Sequence, residues 1–495
     1  MARINTNIAS LVAQSNLAQT NADLTMRLQR LSTGLRINRG ADDPAGLIVS
    51  ERLRSEIRGV SQAIANSERA SSVIATTEGY LNEVADLLNS VKALIIEASN
   101  TGGVSQEEIE ANQLQVDSAI ESITRISNTA SFAGLQLLNG SLEYYVSGVA
   151  TSAINDLTIF GAQFGNNSSV PVSVEVVSSA QTALLFLSSV TAGSNPADGT
   201  LLSSVTMEIS GNEGVQTLAF VSGTEFDDVI AAINTLKEST GVSASLAGGD
   251  ITSGINLNSV NYGSDQFVSV RRIGEGGGFL QFHPEKGDAT VIQRDVGRDV
   301  SAVVNGALAV GSGLDVELNT PSLSLELFLS AEFAQTTGVA KSFFITGGGV
   351  NFQLGPSISA TQQVGFGIQS IAASRLGGTT IEGVRYFLDS VRSGQDNSLI
   401  GGNAQTAARI LESAITDISQ IRGRLGSLER NTVQTNIRAL QIGLENITAS
   451  ESEIRDADFA EETAALTRAQ ILASAGTSVL ATANAQAQNV LALLG

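Results

Sequence analysis

The chain carries one histidine, so a hydrolase that holds zinc between two helical histidines cannot be built from it. That residue, His283, sits in LQFHPEKGD, a stretch that reads as a surface loop. There is no cysteine, which removes thiolate nucleophiles, disulfides and cysteine-bound metals. The glycine-rich stretches GEGGGF (274–279) and TGGGVNFQLG (346–355) lack the Lys-Ser/Thr and following helix of a phosphate loop, and read as turns. Carboxylates pair in ADD (41–43) and EFDD (225–228), but the free N–H groups of a helix start attract acids without any chemistry following. NNSS at 166–169 is a nominal N-linked glycosylation pattern, and the spacing of the other hydroxyls marks no modified site. No catalytic, metal-binding or cofactor-binding residue is assigned, and the chain is not read as an enzyme.

What remains is a body that positions something other than a reaction. With 495 residues and 42% hydrophobic content the chain can bury several cores. Its net charge of −21 repels phosphate backbones and anionic lipid, which argues against nucleic-acid partners. No apolar run approaches the ~20 residues of a membrane helix, so membrane insertion is not expected. The opening MARINTNIASLVAQSNLAQT has no continuous apolar segment of the kind a cleaved signal needs. On composition alone the chain would be placed in the cytoplasm.

The pattern changes character twice. Residues 1 to about 130 and about 403 to 495 read as helix, whereas 140 to 400 alternates apolar and polar residues between Gly, Asn and Ser clusters and reads mostly as strand. This order suggests that the two ends pack together around an inserted middle. Ile74, Leu81, Leu88 and Ile95 recur every seven residues, with Thr77, Val84, Val91 and Ala98 as the second seam position. After NTGGVS the series Ile109, Val116, Ile123 recurs with Asn112, Ala119, Ile126, which predicts a helix folding back on the first. Leu411, Ile418 and Leu425, then Val433, Ile437, Leu440, Leu444 and Ile447, continue the theme. In the middle, Phe226, Val229, Ile230, Ile233 and Leu236 predict one helix, capped by Thr224 with Asp227 and stopped by Gly241.

The extreme ends differ from this rod. Ile4, Ile8 and Leu11 continue only as Ala18 and Ala22, and the anchors Phe459, Leu466, Ile471, Leu480 and Leu491 are separated by alanines, serines and threonines. Such thin stripes, at ~25 cal/mol per Å², do not offset backbone ordering at ~1 to 2 kcal/mol per residue. These helices are expected to be disordered in a lone subunit and ordered by self-association, and a repeated contact that does not close into a ring makes a helical polymer. Between the N-terminal helices, Leu28 and Leu31 precede a break with Arg30, Arg36 and Arg39 before it, Asp42 and Asp43 in it, and Arg52 and Arg54 beyond. Asp43 should cap a helix whose first turn holds Pro44. Mixed charge at such a joint suits contacts between subunits, where it sets register more than affinity.

LQRLSTGLRINRGADDPAGLIVSERLRSEIRG, ATTEGYLNEVADLLNSVKAL and ADFAEETAALTRAQILASAGTSVLATANAQAQNVLALLG closely resemble the two ends of bacterial flagellins, over about 1 to 140 and 400 to 495. The resemblance implies an α+β multidomain fold: long N- and C-terminal helices forming a coiled-coil-like rod with a β-hairpin, and an inserted β-rich outer domain. The divisions that follow are 1–43 as N-terminal assembly helix and joint, 44–165 as N-terminal rod helices, and 166–344 as a variable insertion with a flagellin-type module near 205–270. They continue with 345–402 as rod hairpin and connection, 403–450 as C-terminal rod helix, and 451–495 as C-terminal assembly helix. The implied role is a structural subunit of the flagellar filament, outside the cell, exported without cleavage of a signal. Implied partners are copies of itself, the export apparatus and its chaperone, the filament cap and hook-associated proteins. A hook-filament junction protein and a filament-anchored surface adhesin are the alternatives. Flagellins detected by the vertebrate Toll-like flagellin receptor carry an Arg and a facing Glu on the rod. The matching positions here are Ser90 and Gln115, beside a retained Leu94, which implies weak receptor activation.

Overall fold

The computed structural model describes residues 6–165, 167–188, 199–249, 251, 254–274, 281–283, 291–381 and 384–492; the side chains of 188, 281–283 and 487–492 are outside that description. Its helices are α1 (Ile8–Thr33), α2 (Pro44–Ala98), α3 (Gln106–Thr129), α4 (Phe226–Thr235), α5 (Lys237–Thr240), α6 (Ala331–Gln335), α7 (Ala404–Ser427), α8 (Gln434–Arg455) and α9 (Phe459–Ala492). The middle is strand-rich, so the α+β class implied by the sequence is the one observed. Two compact units divide the chain: Met1–Ile74 with Gln353–Ile358 and Gly426–Gly495, and Ala75–Phe352 with Ser359–Leu425.

In the larger unit the heptads of α2 are buried at Leu81, Leu88, Ile95, Thr77, Val84, Val91 and Ala98. The α3 seam differs from the expected one. Ile109, Val116 and Ile123 are buried, and so is Asn112, but Ala119 and Ile126 are only half-buried and their places are taken by Ile120 and Ser127, with Gln113 also buried. Two polar residues tolerate the interior because they are bonded there. Gln113 donates to the Val391 carbonyl (2.9 Å) and accepts from the Leu399 amide (2.7 Å), and Ser127 donates to the Leu138 carbonyl (2.7 Å). A capping box at Ser105 and Glu108 starts α3.

An eight-stranded antiparallel sheet runs in the order Tyr144–Ser147, Ala340–Gly348, Val170–Ser178, Ser301–Val304, Ala307–Ser312, Asp315–Asn319, Leu323–Leu329, Ile154–Ala162. It takes in residues before 166 and after 344. Ile345 belongs to it because, with Phe343, it is buried in the same core as Val172 and Val174. The two-stranded hairpin that follows pairs Val350–Gln353 with Gln363–Phe366.

A further core lies between residues 183 and 292. Two four-stranded sheets pack with α4 around Leu185, Met207, Phe226, Val229, Ile233, Leu257 and Val268. The predicted α4 face is therefore the observed one, and Gly241, left-handed at φ 73°, stops the short α5 that follows. The Thr224 cap is not formed. Glu225 occupies the N-cap position with no side-chain bond, and the Thr224 hydroxyl donates instead to the Val221 carbonyl (2.8 Å), closing the preceding turn. The chain enters and leaves this body through one antiparallel bridge. The Gln181 amide donates to the Arg298 carbonyl and the Arg298 amide to the Gln181 carbonyl, both at 2.9 Å.

The outward face of Asp315–Asn319 and its neighbours is acidic. Asp156, Asp315, Glu317 and Glu326 share it with Asp417 of α7, against Arg385 and Arg424. Arg385 pairs with Asp156 (2.8 Å), Arg424 with Glu317 (2.8 Å), and Asp417 accepts from the Gly377 amide (2.9 Å). Burial, with Glu326 and Asp156 adding repulsion, pushes Asp315 up to about 7 against the pull of Arg385. Burial likewise raises Glu326 and Asp417. An acid raised on folding binds a proton in the folded state that the unfolded chain has released, so stability falls as pH rises through the raised value. Asp315→Asn should therefore melt higher than the wild type at pH 8, with the difference closing at pH 4, as read by calorimetry across that range.

Candidate functional site

The chemistry-free sequence leaves the two chain ends as the candidate site, and in the smaller unit they lie together. Helices α1 and α9 pair antiparallel. Asn7 donates from its side chain to the Ala483 carbonyl (2.9 Å), Ser10 donates to Asn484 (2.7 Å), and Arg27 reaches Glu462 at the other end. Each helix is capped locally. Asn7 accepts from the Ser10 amide, Asp458 accepts from the amides of Ala460 and Glu461, and Gly34 ends α1 in the left-handed region at φ 73°.

The interior of this pair is made of small residues. Ala13, Ala469 and Ala483 are its buried apolar side chains among the described residues. The large ones face outward: Ile8, Leu11, Val12 and Leu28 on α1 are each at least 50% exposed, and Phe459, Ile471, Leu472 and Val479 on α9 at least 53%. Leu31, Leu466 and Leu480 are half-buried. Ile4 and the side chain of Leu491 lie outside the described residues.

Among the described residues the one buried charge of the pair is Glu462, 5% exposed. Both its oxygens accept from Arg27 (3.1 and 2.9 Å), and one also accepts from Arg30 (3.0 Å). Burial alone would raise its pKa, but the two guanidiniums outweigh it and hold the carboxyl below its ordinary value. Its contribution to pairing is therefore present above the usual carboxylate range and lost as pH falls through it. Sequence reading named Arg30 but missed Arg27 and Glu462. The available signal was two arginines three apart on the helical stripe and an acid in the first turn of a helix otherwise poor in charge.

The break between α1 and α2 is a joint made with the other chain end. Residue Leu35 bridges Asp456, the Arg36 amide donates to the Arg455 carbonyl (2.7 Å), and the Ala457 amide donates to the Gly34 carbonyl (2.9 Å). The Arg36 guanidinium donates to the Ile454 carbonyl (2.6 Å), and Arg39 to Gln29 (2.9 Å). Asp42 accepts from the amides of Asn38 and Arg39, which lower its pKa. Asp43 caps α2 as the sequence predicts, accepting from the Gly46 amide (2.9 Å). Glu51 bonds Arg54 (3.1 Å) and Arg455 (2.8 Å), and Arg52 is exposed.

In the larger unit, Ser90 and Gln115 are exposed and Leu94 is half-buried. The Ser90 hydroxyl donates to the Asp86 carbonyl one turn back (2.9 Å).

Residues 4–143 match the family model of the bacterial flagellin N-terminal helical region, and 408–494 that of the bacterial flagellin C-terminal helical region. Flagellin B of Helicobacter pylori and the flagellins of Salmonella typhimurium and Escherichia coli are each 28% identical, over 99% of this chain and 99% of their own. Among solved structures, hook associated protein-3 of Legionella pneumophila aligns with TM-score 0.31 and 15% identity, over 82% of this chain and 98% of its own. The D2-D3 domains of the flagellar cap protein of E. coli align with TM-score 0.29 and 16% identity, over 42% and 98%. Likenesses this loose carry no argument.

At the joint, a Cβ on Gly46 would stand 2.7 Å from Ile37 Cδ1 and collide with the capping carboxylate of Asp43. Asp43→Ala should cost about 1 kcal/mol through loss of the cap. Gly46→Ala should cost at least as much, because the cap is displaced and the buried Ile37 crowded. Urea unfolding followed at the α2 helix measures both.

Proposed function

The chain belongs to the bacterial flagellins, and from that premise we propose that its two ends, 1–43 and 451–495, are the assembly surfaces of the filament. The protein is a structural subunit that self-assembles into the extracellular flagellar filament of swimming motility. The observation that carries the proposal is the inverted α1–α9 pair, with alanines inside and large apolar side chains outside. A helix pair this short of interior area is stabilised by neighbours, and a row of copies along a screw axis supplies them. In this reading Ile4, Ile8, Leu11, Leu28, Phe459, Ile471 and Leu491 contact adjacent subunits, with Leu31, Leu466 and Leu480 beneath them. Arg30, Arg36, Arg39, Asp42, Asp43, Arg52 and Arg54 shape the joint that presents them.

The rod is assigned to the helices of 44–165 and 403–450 with the hairpin and connection 345–402, and the variable insertion to 166–344, whose eight-stranded sheet takes in strands from the segments on either side. Export without a cleaved signal, with a chaperone, and assembly beneath a cap and beyond hook-associated proteins belong to the same proposal. So does the absence of catalysis, which fits a structural protein with a single histidine and no cysteine.

Two measurements test the assembly reading. Removal of the last 40 residues should abolish filaments in negative-stain microscopy while the larger unit keeps its melting transition. Excision of 182–297, closed by a two-residue turn across the Gln181–Arg298 bridge, should leave filaments intact. Filaments from the truncated chain, or none from the excised one, would move the assembly surface into the middle. On the rod, a reporter cell bearing the vertebrate flagellin receptor should respond weakly to the wild type. The double variant Ser90→Arg, Gln115→Glu should respond at least ~10-fold more strongly, since a charged hot-spot contact is worth ~2 kcal/mol or more.

A further inference from the structure

We propose that Glu462, held between Arg27 and Arg30, is the positioning residue that fixes the axial register of α1 against α9, and so the register in which each subunit presents its outer apolar side chains. The inference rests on the filament reading above.

The seam of this helix pair specifies register poorly. Alanine fills its buried positions at 13, 469 and 483. A slip of one turn, about 5.4 Å, brings other small residues of an alanine-rich helix to the same places. Other features also distinguish one register from the next: exposed or half-buried polar contacts of Asn7 and Ser10 with Ala483 and Asn484, the backbone bonds of Gly34 and Arg36 with Ala457 and Arg455 where α9 begins, and Leu17 over Gly476, where an added Cβ would lie 3.2 Å from Leu17 Cδ1. A leucine tip yields by the few tenths of an ångström involved, so this last is a soft key.

The charge is a hard one. Glu462 is buried and accepts three hydrogen bonds from two guanidiniums. A slip one way carries it toward Asp23, whose carboxylate already bonds Arg27 (3.2 Å). A slip the other way carries it toward the end of α1 at Gly34. Either leaves a carboxylate low in solvent without its partners, and an uncompensated buried charge is strongly destabilising. Single buried polar groups set register in coiled coils by the same means. The outward residues Leu28 on α1 and Phe459 and Ile471 on α9 ride on these helices, so a register error misaligns the surface offered to the next subunit.

The chain contains no cysteine, so disulfide trapping reads register directly. Ser10→Cys with Asn484→Cys reports the observed register, because these side chains touch at 2.7 Å. Ser10→Cys with Leu480→Cys reports a one-turn slip. In sheared filaments the first pair should give at least ~10-fold more intramolecular disulfide than the second. In Glu462→Gln that ratio should fall to about 1, with filaments of mixed form, whereas the single variant Arg27→Lys, which keeps both charges, should leave it high. Gly476→Ala should leave the ratio high. A Glu462→Gln protein that keeps the wild-type ratio would overturn the proposal, and so would a high ratio lost equally in Gly476→Ala. If the wild-type chain formed no filaments, the assembly reading would fail alone, and the same ratio measured on the soluble chain would still decide the register.

Discussion

The arrangement depends on a helix pair whose hydrophobicity is turned outward. A water-soluble helical hairpin ordinarily buries its largest apolar side chains and shows its small and polar ones. Here Ala13, Ala469 and Ala483 are inside while Phe459 is 71% exposed and Ile471 64%. Close approach of two backbones is what alanine and glycine permit, and it leaves little apolar area between them. The exposed residues are then a requirement placed on the surroundings, one that a monomer in water does not meet and a polymer of the same chain does.

Everything between the ends can be seen as freedom gained from that requirement. The eight-stranded sheet has its own core, and the body hung from the Gln181–Arg298 bridge has another. Neither borrows buried residues from α1 or α9. A domain entered and left through one antiparallel bridge needs only two neighbouring backbone segments kept together, and here the Gln335 side-chain amide on the Tyr262 hydroxyl (2.8 Å) and the Arg409–Glu238 pair (3.3 Å) add further ties.

The periodic parts of the molecule were legible because periodicity is a property of long segments. The α2 heptads are buried at every predicted position from 77 to 98, and the Asp43–Pro44 start of that helix follows from two residue types whose backbone roles are narrow. What escaped was set by partners distant in sequence. Nothing in the α3 spacing singles out Gln113 and Ser127, which are buried because the carbonyls of Val391 and Leu138 stand beside them. Thr224 reads as a cap until the turn before it claims its hydroxyl. Glu462 reads as a first-turn acid of ordinary kind, and only the antiparallel pairing brings it to Arg27, 435 residues away. The acidic face around Asp315 arises the same way, from strands and a helix that no local pattern joins.

The C-terminal helical run shows how a small irregularity in such a pattern is resolved. Leu411, Ile418 and Leu425 keep a seven-residue spacing, and the next buried apolar position is Val433, eight on. A continuous α-helix would carry that residue about 100° further round than the heptad allows. The helix instead widens to π geometry at Leu428–Val433, which absorbs the extra residue and lets α8 resume with Ile437 buried. Side chains around the widened turn are bonded, and the Thr435 hydroxyl donates to the Arg430 carbonyl within it (3.3 Å). Glu429, on the widened turn, accepts from Ser71 (2.5 Å) and from Gln434 (2.8 Å), and Asn436 donates to the Leu354 carbonyl (2.7 Å). The one-residue slip in the sequence thus has a structural meaning that counting apolar positions detects but does not explain: the helix keeps its buried stripe by changing its own pitch.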